Sequence, residues 1–239
     1  MRTVAVVLAG GSGSRFGGSM PKQLRELAGR SLVEHCVAAF DQAPAVDEVL
    51  VVTPADRAAA TAADLRGYRK LTAVVAGGAT RSDSTRQAIA AIPGAAGVGA
   101  PDCNVLFHDA ARPLVDQRII ADCARALDTW QAIGVVVPSS DTIVETDGSV
   151  LGRVLPRATL ARCQTPQGFR LSVITRAYEL AAADPGFSAT DDCGVVRRYL
   201  PGIPIGAVPG SERNLKVTYP GDLAVAEVLL KDPAPESPA

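Results

Sequence analysis

Arg15 and Lys22 lie seven residues apart in a segment with few other chemically active side chains, Leu8-Ala9-Gly10-Gly11-Ser12-Gly13-Ser14-Arg15-Phe16-Gly17-Gly18-Ser19-Met20-Pro21-Lys22-Gln23. Glycines carry no Cβ, so their backbone N–H groups can turn onto an anion at close range. Arg15 and Lys22 add two full positive charges to those partial ones. The chemistry that follows is capture of a polyphosphate. The apolar, β-branched run Thr3–Leu8 leads straight into the loop and reads as a buried strand of a parallel sheet. The loop therefore sits at the carboxyl edge of a sheet, where open α/β folds bind ligands.

Three loop chemistries compete for this segment. A Walker loop requires Gly-Lys-Ser/Thr at a helix start, and the chain has no Gly-Lys dipeptide. A dinucleotide fingerprint requires G-x-G-x-x-G; Gly11 and Gly13 fit, but Phe16 takes the last glycine's place. The third is the nucleotidyltransferase loop, in which a triphosphate lies across the glycines and a Pro-Lys element, here Pro21-Lys22, closes over it. A second candidate centre is Asp109, which follows the strand-like run Asn104–His108. A carboxylate there suits Mg²⁺, which takes one or two carboxylates plus substrate phosphates; the alternative is an aspartate that caps the next turn. His108 reads as structural.

The elements that position these residues alternate. Thr3–Leu8, Glu48–Thr53, Leu71–Ala76, Asn104–His108 and Ile133–Pro138 read as strands. Leu32–Asp41, Ala55–Leu65, Ser82–Ile92 and Gln117–Thr129 read as helices between them, the first opened by a capping box at Ser31–Glu34. This pattern predicts an α/β fold of three layers, a sheet with helices on both faces. Residues 139–163 break the alternation. Thr142–Glu145 and Val150–Leu155 around Asp147-Gly148 predict a β-hairpin arm with a type I′ turn. A lone hairpin is marginal in water, so the arm implies a second subunit and a homodimer. Helices over Leu171–Ala183 and Asp192–Leu200 follow, then strands at Ile203–Val208 and Asn214–Thr218. A helix at Pro220–Leu230 closes a single domain over 1–231, and 232–239 reads as a disordered tail.

Composition excludes several classes. The net charge of −1 leaves no global field for nucleic acid. The chain has only four lysines, Lys22, Lys70, Lys216 and Lys231. Five scattered cysteines without a C-x-x-C read as free thiols in a reducing cytosol, and His35 and His108 alone cannot build a His-ligated zinc site. No signal peptide and no membrane-length apolar run is seen, so a cytoplasmic location is expected.

The glycine loop with Pro21-Lys22-Gln23 resembles the signature of the 2-C-methyl-D-erythritol 4-phosphate cytidylyltransferases of the non-mevalonate isoprenoid pathway. Further segments resemble that family in order: Gly77-Gly78 with Arg81, Asp83 and Ser84; His108-Asp109-Ala110-Ala111-Arg112-Pro113; Asp141-Thr142; Gln164-Thr165-Pro166-Gln167; Thr190-Asp191-Asp192; and Asn214-Leu215-Lys216-Val217-Thr218. Gly10 and Gly11 depart mildly from it, since many members carry alanines there. The resemblance implies a Rossmann-like nucleotidyltransferase sheet and transfer of a cytidylyl group from CTP to a small polyol phosphate. It implies that Arg15, Lys22, Arg157 and Lys216 act in catalysis. Ala9, Gly10, Gly11, Gly13, Ser14, Gly77, Gly78, Asp83 and Ser84 would hold the nucleotide. Asp109, Arg112, Thr142, Arg157, Thr165, Thr190 and Lys216 would hold the acceptor, with Asp109 also the Mg²⁺ candidate. Arg157, just past the arm's second strand, would serve a neighbouring subunit. Three other readings stay open: a cytidylyltransferase for another polyol phosphate such as ribitol 5-phosphate, a more distant molybdopterin or sugar-phosphate nucleotidyltransferase, and a nucleotide-binding homologue without turnover.

Overall fold

Strands covered on both faces must be apolar on both faces, and Thr3–Leu8 (β1) meets that requirement. Val4, Val6 and Leu8 enter one layer of core, and Ala5 and Val7 enter the other. The structure, a computed structural model, describes residues 1–10, 25–92 and 102–232. After β1 comes a small antiparallel pair, β2 (Glu26–Leu27) and β3 (Arg30–Ser31), then α1 (Leu32–Gln42) and β4 (Glu48–Thr53). A 3₁₀ turn (Ala55–Arg57) leads into α2 (Ala58–Asp64), followed by β5 (Leu71–Ala76), α3 (Arg81–Ala91), β6 (Asn104–Asp109), α4 (Gln117–Thr129) and β7 (Ala132–Pro138). The arm is β8 (Ile143–Thr146) and β9 (Leu151–Leu155). Then come β10 (Ala161–Arg170), α5 (Leu171–Ala182), α6 (Asp192–Tyr199), β11 (Ile205–Pro209) and α7 (Pro220–Lys231).

Seven strands form one sheet in the order β11-β7-β10-β6-β1-β4-β5. Residues of α3, α5 and α6 cover one face, and those of α1 and α4 cover the other. This is the three-layer α/β architecture that the alternation predicts. β1 pairs in parallel with β4 and β6, so their carboxyl ends lie along one edge. Backbone bonds extend that edge past the strands: Ala9 N–H to Val52 O (2.7 Å), Gly77 N–H to Thr53 O (2.8 Å) and Ala110 N–H to Leu8 O (3.0 Å).

Several expectations need correction. The sheet is mixed, because β10 runs antiparallel between β6 and β7. No strand is expected there, since Gln164-Thr165-Pro166-Gln167 is polar and its proline has no N–H for a ladder. The proline sits where the register against β7 slips, between Cys163 and Gln167, and the Thr165–Pro166 bond is cis. Conversely, Asn214–Thr218 is not a strand. It is pinned instead by Val217 N–H to Ala111 O (2.7 Å). The arm is shorter than 139–163, because residues 161–163 already pair with β7. Its turn is not type I′. Gly148 alone takes a positive φ (+99°), while Asp147 Oδ1 accepts the N–H groups of Ser149 and Val150 across a four-residue loop. At α1, Ser31 Oγ accepts Glu34 N–H, but Glu34's carboxylate accepts from Tyr68 O–H instead of closing a capping box. The expected tail lies outside the described residues from 233 onward.

Candidate active site

The carboxyl edge gathers three loops. After β1, Ala9 is buried and Gly10 half-buried; after β5 come Gly77 and Gly78; after β6 comes Asp109. Gly11, Gly13, Ser14, Arg15 and Lys22 lie outside the described residues. Ser84 on α3 sits beneath two of these turns. Its buried hydroxyl accepts Gly78 N–H (3.2 Å) and donates to Thr80 O (3.0 Å). A Cβ at Gly77 would come within 2.8 Å of Ser84 Oγ, and one at Gly10 within 3.0 Å. Glycine at both places is what lets the loops close on α3. Asp83 is engaged locally, because its Oδ2 accepts Thr80 N–H (3.1 Å) while Thr80 Oγ1 accepts Asp83 N–H in a capping box.

A second group converges on a cavity of about 160 Å³ whose walls include Arg81, Asp109, Arg112, Thr165, Thr190 and Lys216. Asp109 is central, with Oδ1 3.5 Å from Arg81 Nε and Oδ2 2.6 Å from Lys216 Nζ. Burial alone would raise its carboxyl; the charges of Arg81 and Lys216 outweigh that and hold it well below the usual carboxylate range. Arg81 in turn reaches Asp192 Oδ2 at 2.8 Å. Asp192 is 0% exposed, and its Oδ1 accepts from Thr85 (3.0 Å) and Tyr178 (2.7 Å) hydroxyls. Burial works against Arg81's charge, but Asp192 and Asp109 more than restore it and raise its pKa.

The loop after β6 is rigidly held. Arg112 is buried, and it donates to the carbonyls of Asn214 (2.8 Å) and Cys163 (3.4 Å). Burial lowers its pKa from the usual arginine value. Asn214 Nδ2 donates to Thr165 O (2.8 Å), which ties the Lys216 segment to β10. His108 is 0% exposed, with Nε2 3.0 Å from Arg112 O and Nδ1 3.0 Å from Thr165 Oγ1. Burial pushes its pKa down to about 4, so it is neutral near pH 7. Gln167 Nε2 donates to Asp191 Oδ2 (2.9 Å), and its Oε1 accepts Asp192 N–H (3.0 Å), so β10 anchors the start of α6 beside Thr190.

The expected acceptor residues thus divide. Asp109, Arg112, Thr165, Thr190 and Lys216 share one cavity, while Thr142 and Arg157 are exposed at the foot of the arm, where Arg157 Nη1 donates to Ser140 O (3.0 Å). The motif segments contain Arg81, Gln167 and Asp192 but assign them no role. The signal available for them was two adjacent aspartates before a helix and an arginine after a glycine pair. Among the described residues no group of three or more His, Cys, Asp or Glu is placed to hold a metal ion. Asp109 still suits a hard cation that brings phosphates of its own. Lys216, the partner of Oδ2, is 41% exposed and carries its charge on a flexible stem.

The sequence profile of 2-C-methyl-D-erythritol 4-phosphate cytidylyltransferase (IspD) matches residues 3–232. The chain belongs to that family. As a member it is a nucleotidyltransferase. A 2-C-methyl-D-erythritol 4-phosphate cytidylyltransferase from Thermobifida fusca is 52% identical, covering 96% of this chain and 94% of that one. A bifunctional ribulose 5-phosphate reductase/CDP-ribitol pyrophosphorylase from Haemophilus influenzae is 35% identical over 96% of this chain, which spans 48% of that protein. The crystal structure of 4-diphosphocytidyl-2C-methyl-D-erythritol synthase from Anaerococcus prevotii superposes with a TM-score of 0.82 at 25% identity, covering 97% of this chain and 99% of that one. The mixed sheet is therefore the IspD-type nucleotidyltransferase fold. No helix among the described residues is long and apolar enough to cross a membrane.

Proposed function

We propose that this chain joins the phosphate of 2-C-methyl-D-erythritol 4-phosphate to the α-phosphorus of CTP and releases pyrophosphate. The observation that carries the reading is the cavity at the carboxyl edge, where Asp109, Arg81 and Lys216 meet beside the Gly10 and Gly77 turns. An acceptor phosphate has a second pKa of about 6 and is already largely ionised at neutral pH. It needs no general base, and the family match in a chain with a buried, neutral His108 supports that. One of its oxygens attacks the α-phosphorus in line, the bond to the β-phosphate oxygen breaks, and pyrophosphate departs with that electron pair. The protein's task is to hold two polyanions together and stabilise the charge that shifts between them.

In this reading Arg15 and Lys22 bind the triphosphate, Ala9, Gly10, Gly11, Gly13, Ser14, Gly77 and Gly78 offer backbone around the nucleotide, and Asp83 and Ser84 support those turns. Lys216 swings from Asp109 to the phosphate. Asp109, Arg112, Thr165 and Thr190 receive the acceptor. Mg²⁺ bound at Asp109 would supply charge neutralisation of the phosphates. The arm exposes Val150, Leu151 and Val154, which supports burial against a second copy and delivery of Thr142 and Arg157 to its site. A cytoplasmic location accords with free thiols at all five cysteines.

The test is pyrophosphate release with CTP, ATP, GTP and UTP against a panel of polyol phosphates. CTP with 2-C-methyl-D-erythritol 4-phosphate should dominate. Faster turnover with ribitol 5-phosphate would move the chain toward the activity named for the Haemophilus relative. Nucleotide binding without any release would leave a homologue that has lost turnover.

A further inference from the structure

The wall of the cavity at Thr165 has a direction in its hydrogen bonding. His108 Nε2 lies 3.0 Å from the carbonyl of Arg112, and a carbonyl can only accept, so Nε2 carries a proton. The ring is 0% exposed and packs edge-on against Phe40 at 5.3 Å. Among the described residues neither ring nitrogen is bonded to a carboxylate, and a buried imidazolium without such a partner is costly. Nδ1 is then a bare lone pair. It lies 3.0 Å from Thr165 Oγ1, so the threonine hydroxyl must donate to it. The same oxygen accepts Asp109 N–H at 3.1 Å. A hydroxyl has one donor and two acceptor sites, so what remains at Thr165 Oγ1 is one lone pair. Asn214 Nδ2 donates to Thr165 O (2.8 Å) and to Gln164 Oε1 (3.2 Å), which holds the strand at this residue and leaves the side chain little freedom to turn elsewhere.

We infer that His108 is a positioning residue that fixes Thr165 as a hydrogen-bond acceptor toward the cavity, so that this wall selects a ligand hydroxyl and turns away a phosphate oxygen. The identity of the ligand rests on the cytidylyl-transfer reading above. An ionised phosphate oxygen can only accept, and it would meet a lone pair. The acceptor's phosphate must then lie toward the cations, and a carbinol O–H of its polyol must lie against Thr165. The inference assigns an orientation of the acceptor, which membership of the cavity alone does not.

Two measurements test it. Long-range ¹H–¹⁵N spectra of the wild-type protein report the tautomer directly, and only two histidines need to be told apart. A protonated Nε2 with a bare Nδ1 is expected; a proton on Nδ1 near neutral pH would overturn the inference. The second uses acceptor analogues in which each hydroxyl in turn is replaced by hydrogen or by fluorine. One position should lose affinity equally with either replacement, by roughly two- to tenfold in KM, because neither can donate. That loss should vanish in Thr165→Val and return in Thr165→Ser. Fluorine substitution that preserves KM at every position, or losses that Thr165→Val leaves unchanged at every position, refutes the orientation. Absence of turnover with every acceptor would instead count against the transfer reading, and the spectrum would still decide the tautomer.

Discussion

Acidifying the metal-free, ligand-free protein should expose what it costs to keep His108 neutral. The ring's pKa lies at about 4 in the fold against an ordinary 6.5, with burial as the main cause. A depressed pKa means that the unfolded chain takes up the proton first as pH falls. The contribution to stability is therefore whole above pH 6.5 and is lost progressively down to pH 4. Linkage puts the loss at about 1.4 kcal/mol by pH 5.5 and about 2.6 kcal/mol by pH 4.5. Few carboxylates interfere in that window. Asp109 is also depressed and loses stability in the same sense, but only at lower pH, where unfolded aspartates begin to protonate. The assay is urea unfolding at half-unit steps from pH 7.5 to 4.5 with a chelator present. His108→Gln is the control. It should be less stable at pH 7.5, because Arg112 O and Thr165 Oγ1 lose well-placed partners, yet its stability should change little across the window. A wild-type curve that is flat between pH 6.5 and 4.5, or a variant with the same slope as wild type, would refute the account of a buried neutral ring.

Three further outcomes are expected. Gly168→Ala should destabilise by about 1–3 kcal/mol, read by denaturant midpoint, because a Cβ there would stand 2.9 Å from both Ile133 and Leu106 in the sheet's core. Asp192→Asn should cost about 3 kcal/mol, near the low end for a broken buried pair because Arg81 keeps Asp109; Asp192→Asn combined with Arg81→Met should recover part of that loss. Mixing an Arg157→Ala chain with a Lys22→Ala chain should restore pyrophosphate release if the arm works across a dimer, since one site of each mixed pair regains both groups; no recovery would confine Arg157 to its own subunit.

Much of the fold is written in runs whose burial is uniform. Thr3–Leu8 and Glu48–Thr53 bury apolar residues on both faces, and Asn104–Asp109 does so through its centre Val105–Phe107, so their place inside a covered sheet follows from composition. β10 breaks that rule with buried polar residues. Gln164, Thr165 and Gln167 are legible as strand only once their partners are known, and those partners, Asn214, His108 and Asp191, come from distant segments. The same reason divides the site. Asp109 and Gly77 announce themselves at strand ends, whereas Arg81 matters through Asp192, a pairing that no local spacing encodes. Asn214–Thr218 imitates a strand through its alternating sequence, yet it is held by scattered bonds, Val217 N–H to Ala111 O, Arg112 to Asn214 O and Asn214 Nδ2 to Thr165 O, and not by a ladder.

The insertion of β10 between β6 and β7 also constrains how the chain can be made. Synthesis delivers β6 and β7 long before the strand that must separate them. A nascent chain that ends short of Ala161 therefore carries two open strand edges, both with apolar faces, and pairing those two edges directly would build a wrong sheet. The two-stranded arm is the piece of chain that emerges during this interval. Its length sets how long the correct partner of both edges is withheld, so lengthening the arm should lower the yield of folded protein even where the finished structure tolerates it.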